Sequence, residues 1–166
     1  MDEAQLKSAR LAALRLLTAS ALTSSELRLK LAGKGFAEEA IALLIAEFTR
    51  RRLLDDAGIV DDVIERSALQ KLEGRRQIRN RLVRRGINSV EAEERLKEVY
   101  TVEGEFAAAL EFAKKKLRSM LAEPANIKRR RIGGALDRRG FPSEVINRVL
   151  SEISFSAEEP GQAEDN

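Results

Sequence analysis

Three stretches of this sequence share one grammar, and their spacing limits the folds open to the chain. Glu26-Leu27-Arg28-Leu29-Lys30-Leu31-Ala32-Gly33-Lys34-Gly35-Phe36, Gln77 to Ile87 and Arg131 to Phe141 align position for position. Each holds an apolar pair four residues apart (Leu27/Leu31, Ile78/Leu82, Ile132/Leu136), then a base, a glycine and an apolar residue. Such a pair is the buried stripe of a helix. The glycine stands where a helix ending needs a left-handed residue, and the apolar residue after it closes the turn. Gly35, Gly86 and Gly140 are 51 and 54 residues apart. A period of that length means one supersecondary unit copied along the chain.

The rest of the sequence agrees with helices alone. Among 166 residues there is no Cys, His or Trp, one Tyr and six Phe, so the core falls to Leu, Ile, Val and Ala. With 34% charged residues and three prolines, an all-α protein is expected. Disulfides, thiolate chemistry and imidazole bases are excluded. No run of 18 apolar residues exists, and Met1-Asp2-Glu3-Ala4-Gln5 lacks the layout of a signal peptide, so a cytoplasmic location is expected.

Read in order, each repeat divides into three helices. Residues 3–18, with Leu6, Leu14 and Leu17 among alanines, form the first. Thr23-Ser24-Ser25-Glu26 is a capping box that opens the second, which stops at Gly35. Ala40, Ile41, Leu44, Ile45 and Phe48 share a face of the third. Asp55-Asp56-Ala57-Gly58 breaks the chain and caps the next helix, which carries Ile59, Val63 and Ile64 and continues through Leu69 and Leu72 to Gly74. Asn88-Ser89-Val90-Glu91 reads as another capping box, before a helix with Val90, Leu96, Val99 and Tyr100 one residue out of step with the first repeat. Phe106, Ala109, Leu110, Ala113 and Leu117 mark a long helix, Asn126 a helix cap, and Pro142 the first turn of a last helix bearing Val145, Ile146, Val149, Leu150 and Ile153. The expected organisation is three tandem three-helix, helix-turn-helix-like repeats, residues 1–54, 55–101 and 102–155, in an elongated, curved array. An acidic, disordered tail over 156–166 is expected to follow.

Chemistry of the catalytic kind has little to rest on. Asp55-Asp56 and Asp61-Asp62 are the one acidic cluster in the body of the chain, without the ladder of a calcium loop, and read as helix caps. Gly133-Gly134 lacks the strand and the Lys-Ser/Thr of a phosphate loop. No enzyme activity, cofactor or metal is expected.

Charge is more informative. The net charge is +3, but residues 71–139 hold 19 basic and 10 acidic groups while residues 140–166 hold one and six. Arg75 to Ile87 alone has six arginines and no acid. With Ile78 and Leu82 inward at about 100° per residue, Arg76, Asn80 and Arg84 face solvent and Arg75 and Arg79 lie to one side. The third repeat sets Arg129, Arg130, Arg138 and Arg139 at the positions of Arg75, Arg76, Arg84 and Arg85, while Lys114 and Lys115 cross the polar side of its first helix. A base before each glycine also complements the helix macrodipole, a sufficient reason for Lys34, Arg85 and Arg139. Like charges one turn apart repel, so an all-basic face points to an anionic partner, nucleic acid or an acidic protein groove.

These motifs together resemble the RecX family, bacterial regulators of the RecA recombinase, over about residues 10–153. The resemblance is carried by Glu26-Leu27…Leu31…Lys34-Gly35-Phe36, then Leu53-Leu54-Asp55-Asp56 with Ile64 and Arg66. It continues in Ile78…Leu82…Arg85-Gly86-Ile87 and in Leu136-Asp137-Arg138-Arg139-Gly140-Phe141 with Ile146 and Val149-Leu150. It implies a monomer that binds the RecA filament and the single-stranded DNA within or beside it. It further implies modulation, usually inhibition, of RecA's ATPase, strand-exchange and co-protease activities in DNA repair, recombination and the SOS response. Two positions depart from the family pattern: Ile59 where an aromatic is common, and Gly133-Gly134 inside a helix, each costing about 1 kcal/mol relative to Ala. The alternative is a helix-turn-helix protein that binds DNA directly. Against it, the third helices open on Ala37-Glu38-Glu39, Ser89-Val90-Glu91 and Ser143-Glu144, acidic where a recognition helix meets phosphate.

Overall fold

The computed structural model describes residues 3–120 and 122–155, so the expected tail lies outside the described residues. Among them are nine α-helices and no strand: α1 (Glu3–Ala19), α2 (Ser24–Ala32), α3 (Glu38–Arg50), α4 (Asp56–Glu65), α5 (Arg75–Arg84), α6 (Ser89–Val99), α7 (Val102–Arg118), α8 (Ala125–Arg138) and α9 (Ser143–Glu152). A π-helical turn, Arg66–Gln70, continues α4. The chain packs as two units. One runs to Glu65 and takes up Arg79–Val99; the other holds Arg66–Ile78 and the described residues from Tyr100 on. The middle sequence repeat supplies both.

The glycine grammar has the geometry the pattern requires. Gly35, Gly86 and Gly140 have φ of +84°, +82° and +85°. The amides of Phe36, Ile87 and Phe141 donate back to the carbonyls of Leu31, Leu82 and Leu136 at 3.3, 3.2 and 3.2 Å, the long bond of a Schellman ending. All six residues of the three apolar pairs are fully buried.

In the first unit, Leu27, Leu31, Ile41, Leu44 and Phe48 form the core with Ala9 and Ala13. On α1 the alanines, rather than the leucines of the sequence pattern, are fully buried; Leu14 is exposed and Leu6 and Leu17 are half-buried. A buried alanine lets two helices approach closely, and the leucines flank the contact. In α6 the buried residues are Ala92 and Leu96, while Val90 and Val99 stay exposed. Asn88 caps α6 by accepting from the Val90 amide at 2.8 Å.

In the second unit, Phe106, Ala109 and Ala113 of α7 pack with Ile132 and Leu136 of α8 and Val145 and Val149 of α9. Three boundaries differ from the sequence pattern. The helix expected to continue regularly to Gly74 instead passes into the π turn, whose extra residue per turn rotates Ser67 and Ala68 inward and leaves Leu69 exposed. Leu72 then takes a left-handed φ of 51°. Asn126 sits inside α8, which Pro124 precedes, and its carboxamide accepts from the adjacent Ile127 amide at 2.9 Å. Pro142 is the residue before α9 rather than in its first turn.

Each unit is built around a joint in which the start of one repeat's middle helix meets the end of the next repeat's. In the first unit the Thr23 capping box closes on itself: Thr23 Oγ1 accepts from the Glu26 amide at 3.1 Å and Glu26 Oε2 from the Thr23 amide at 2.9 Å. The Thr23 hydroxyl then donates to the Arg85 carbonyl at 2.7 Å, and Ser25 Oγ to the Gly86 carbonyl at 3.1 Å. Arg85 clamps the box, donating to both Glu26 oxygens at 2.9 and 2.7 Å and to the Ala21 carbonyl at 2.9 Å. The second unit repeats the joint with backbone amides in place of the hydroxyls: the Gly74 amide donates to the Arg139 carbonyl at 2.9 Å and the Arg76 amide to the Gly140 carbonyl at 3.2 Å. A Cβ on Gly74 would overlap the Gly140–Phe141 peptide, and one on Gly140 would overlap Gln77. Gly35, the third copy of this turn, has nothing within 4 Å of where a Cβ would lie.

Two expected outcomes follow from the joints. Gly35→Ala carries only the left-handed strain, about 1–2 kcal/mol, whereas Gly140→Ala adds overpacking of about 1–3 kcal/mol; urea unfolding that ranks the two equally would remove the joint at Gly140. The hydrogen-bonded Arg85 guanidinium holds the Glu26 carboxyl below its ordinary range. The pair's contribution is therefore present above the carboxyl's unfolded value and is lost as pH falls through its lowered one. Glu26→Gln is expected to cost about 1–3 kcal/mol at pH 7 and to be nearly neutral in strong acid, which denaturant unfolding of both proteins across pH measures.

Candidate nucleic-acid interface

Helix α5 exists because its apolar pair is buried, and that burial orients its arginines. Arg76, Asn80 and Arg84 are exposed and Arg75 and Arg79 half-buried, as the periodicity requires. Their occupations differ, however. Arg75 is held by Glu105, a carboxylate on α7 only 2% exposed. Glu105 accepts from the Arg75 backbone amide at 2.6 Å and lies 3.4 Å from its guanidinium, which donates also to the Tyr100 carbonyl at 2.8 Å. Burial, then the Glu105 charge, pushes the Tyr100 phenol up, and its hydroxyl donates to the Glu73 carbonyl at 3.1 Å. Arg76 donates to the Asp137 carbonyl and, at 3.0 Å, to its carboxylate.

The other cations divide the same way. Arg85 belongs to the Glu26 clamp. Arg139 donates to the Lys71 and Leu72 carbonyls, with its guanidinium 4.2 Å from the centre of the Phe112 ring. Arg129 donates to the Leu150 carbonyl at 3.0 Å and lies 5.9 Å from the Phe155 ring. Lys115 pairs with Glu111 at 2.6 Å on one helix face. Arg79, Arg84, Arg130, Arg138 and Lys114 form no ion pair among the described residues. Arg84 bonds only its own helix, to the Asn80 carbonyl at 3.2 Å.

In the first unit, then, Arg84 is an exposed cation that forms no ion pair among the described residues. In the second, Arg130, Arg138 and Lys114 are the same. Such a side chain has donors to offer a phosphate or carboxylate.

What the sequence pattern missed is the set of acids that answer the arginines. Glu105 carries a usable signal: it lies four residues before Ala109 and eight before Ala113, on the buried stripe of α7, where a carboxylate needs a cation. Asp61–Arg95 and Glu103–Arg148 carry no such signal, being surface pairs brought together from distant parts of the sequence at 2.6 and 2.7 Å. In both, the partner arginine holds the carboxyl below its ordinary range. Arg148 also covers the Phe106 ring at 3.8 Å. The acidic cluster noted in the sequence is engaged structurally. Asp55 accepts from the Gly58 amide at 2.9 Å, and Asp56 from the Ser24 amide at 2.8 Å. No group of three or more potential metal ligands occurs among the described residues, and no helix among them is long and apolar enough to cross a membrane.

Comparison with known proteins gives a consistent result. Residues 9–48 match the family model of the RecX first three-helix domain, and residues 103–150 that of the RecX third three-helix domain. The Regulatory protein RecX of Chlorobaculum tepidum is 34% identical over 153 residues, covering 92% of each chain. That of Pelodictyon phaeoclathratiforme is 31% identical over 138 residues, covering 83% of this chain and 84% of its own. The crystal structure of RecX from Lactobacillus salivarius superposes with a TM-score of 0.81 at 22% identity, covering 89% of this chain and 96% of the other. A second crystal structure of a regulatory protein RecX gives 0.77 at 23%, covering 89% and 72%. The structural likeness establishes the all-helical fold built of three-helix domains, and the sequence relatives establish kinship: this chain belongs to the RecX family of regulatory proteins.

Proposed function

We propose that this protein regulates the RecA recombinase, most simply as an inhibitor, by binding the RecA–single-stranded DNA filament as a cytoplasmic monomer. Through that contact it modulates ATP hydrolysis, strand exchange and co-protease activity. The observation that carries the reading is that, of the candidate cations, Arg84 in one unit and Arg130, Arg138 and Lys114 in the other are exposed and form no ion pair among the described residues. Each is positioned by a helix whose other face is core, so the charge is held out at low entropic cost to a polyanionic partner. Arg75, Arg76, Arg79, Arg85, Arg129, Arg139 and Lys115 complete the proposed set of contact residues, most of them through side chains already anchored within their own unit. The repeat boundaries 1–54, 55–101 and 102–155 are part of this proposal, each repeat offering its own segment to a periodic filament.

The reading is of a binding regulator rather than an enzyme, since the clustered carboxylates serve as caps and ion pairs. Direct helix-turn-helix recognition is the poorer alternative. Glu38 and Glu39, Glu91 and Glu144 occupy the first turns of α3, α6 and α9, and Glu38 is paired with Arg28 at 2.8 Å.

The test is RecA ATPase on single-stranded DNA, titrated with the protein and with an Arg84→Glu/Arg130→Glu/Arg138→Glu variant. These three sites avoid the joints, so helical circular dichroism is expected to be unchanged. Half-inhibition is expected to need at least about tenfold more variant, a loss of about 1.4 kcal/mol. Full potency in the folded variant would remove the assigned cations, and no effect of the parent protein on RecA would remove the reading itself.

A further inference from the structure

We infer that the outward face of α8 is a track for a phosphodiester backbone with Gly134 as its floor, an inference that rests on the function proposed above and gives its ligand chemistry. Ile132, Ala135 and Leu136 turn inward from α8. At about 100° per residue the opposite side carries Asn126, Ile127, Arg130, Gly134, Asp137 and Arg138, all exposed except the half-buried Ile127 and Gly134.

The two adjacent glycines of this helix have different explanations. A Cβ on Gly133 would stand 3.3 Å from Leu150 Cδ1, a tight contact, so close packing of α8 on α9 accounts for that position. At Gly134 a Cβ would meet only the flexible end of Arg138, at an ordinary 3.4 Å. Its φ is not in the left-handed region either. Glycine is among the least favourable residues for a helix interior because of the backbone entropy it loses. Neither conformation nor packing within its unit repays that loss at position 134. An external surface that comes down onto the helix backbone does, because a missing Cβ permits close approach.

The flanking chemistry says what kind of surface fits. Arg130 and Arg138 lie one turn to either side of Gly134, about 12 Å apart along the helix axis. Both are exposed and neither has an ion pair among the described residues. The one acid on the face, Asp137, is already joined to Arg76 at 3.0 Å. The face carries no aromatic side chain, and its one large apolar side chain, Ile127, is half-buried. A protein partner draws its affinity from clusters of buried aromatic and apolar anchors, and a single half-buried isoleucine is no such cluster. Bases would need an aromatic platform on which to stack, also missing there. What remains is charge and close backbone approach, the requirements of a phosphate chain bound without regard to sequence.

The experiment uses the full chain and fluorescein-labelled oligothymidylate, without RecA. Gly134→Ala is expected to raise the melting temperature by about 2–4 °C and yet weaken oligothymidylate binding about fivefold or more. Arg130→Gln and Arg138→Gln are each expected to lower the slope of log K against log salt by about 0.7. A stabilised Gly134→Ala protein with unchanged affinity overturns the track. So does a loss of affinity for poly-glutamate without one for oligothymidylate, which assigns the face to an acidic protein. Loss of oligothymidylate binding with RecA inhibition intact supports the track while removing its proposed role in the filament. The track and the regulatory reading therefore fail separately.

Discussion

The structure depends on how the loose ends of helices are satisfied. A helix leaves amides unpaired at its start and carbonyls unpaired at its end, and those that packing cuts off from water need another partner. Here the ends answer one another. The first amides of α5 donate to Glu105 and the Gly140 carbonyl, and the Arg139 carbonyl accepts from Gly74. In the other unit, the hydroxyls of Thr23 and Ser25 donate to the last carbonyls of the α5 ending. The same joint is made once with side-chain hydroxyls and once with backbone amides. That is why Thr23 and Ser25 correspond in the repeat to Gly74 and Arg76, residues with no chemical likeness.

This arrangement also changes what the arginines of α5 mean. As a sequence they form an all-basic run whose self-repulsion calls for an outside anion. In the folded units Arg75 finds Glu105, Arg76 finds Asp137 and Arg85 finds Glu26. The acids come from positions 30, 61 and 59 residues away. Part of the arginine charge therefore secures the fold, and of the candidate cations those left exposed without an ion pair among the described residues are Arg84 in one unit and Arg130, Arg138 and Lys114 in the other. A joint glycine or a clamped arginine and an outward arginine should accordingly behave differently when changed, the first through stability and the second through binding.

How legible each feature was follows from the range of the interaction behind it. The capping box at Thr23 and the three Schellman endings are written within a few residues, and they appear where the pattern places them. The buried face of α1 was less legible, because alanine fits a close helix contact as readily as it fits a solvated face; which applies depends on the neighbour. The π turn at Arg66–Gln70 has no local signature, and a regular period carried past it puts Leu69 inside when it is exposed. Of the candidate site, the outward stripe of α5 could be read from periodicity, but the partners of its arginines could not.

By itself the sequence determined that the chain is all-helical, that one unit recurs at Gly35, Gly86 and Gly140, and that it is kin to RecX proteins. Apolar period, helix endings and the order of motifs are local properties that no packing needs to complete. Only the tertiary structure decided which cations are bound internally and which are offered outward. That distinction rests on carboxylates and carbonyls distant in sequence. Charge pairing acts over a few ångströms of space, so its outcome exists only once the helices have been brought together.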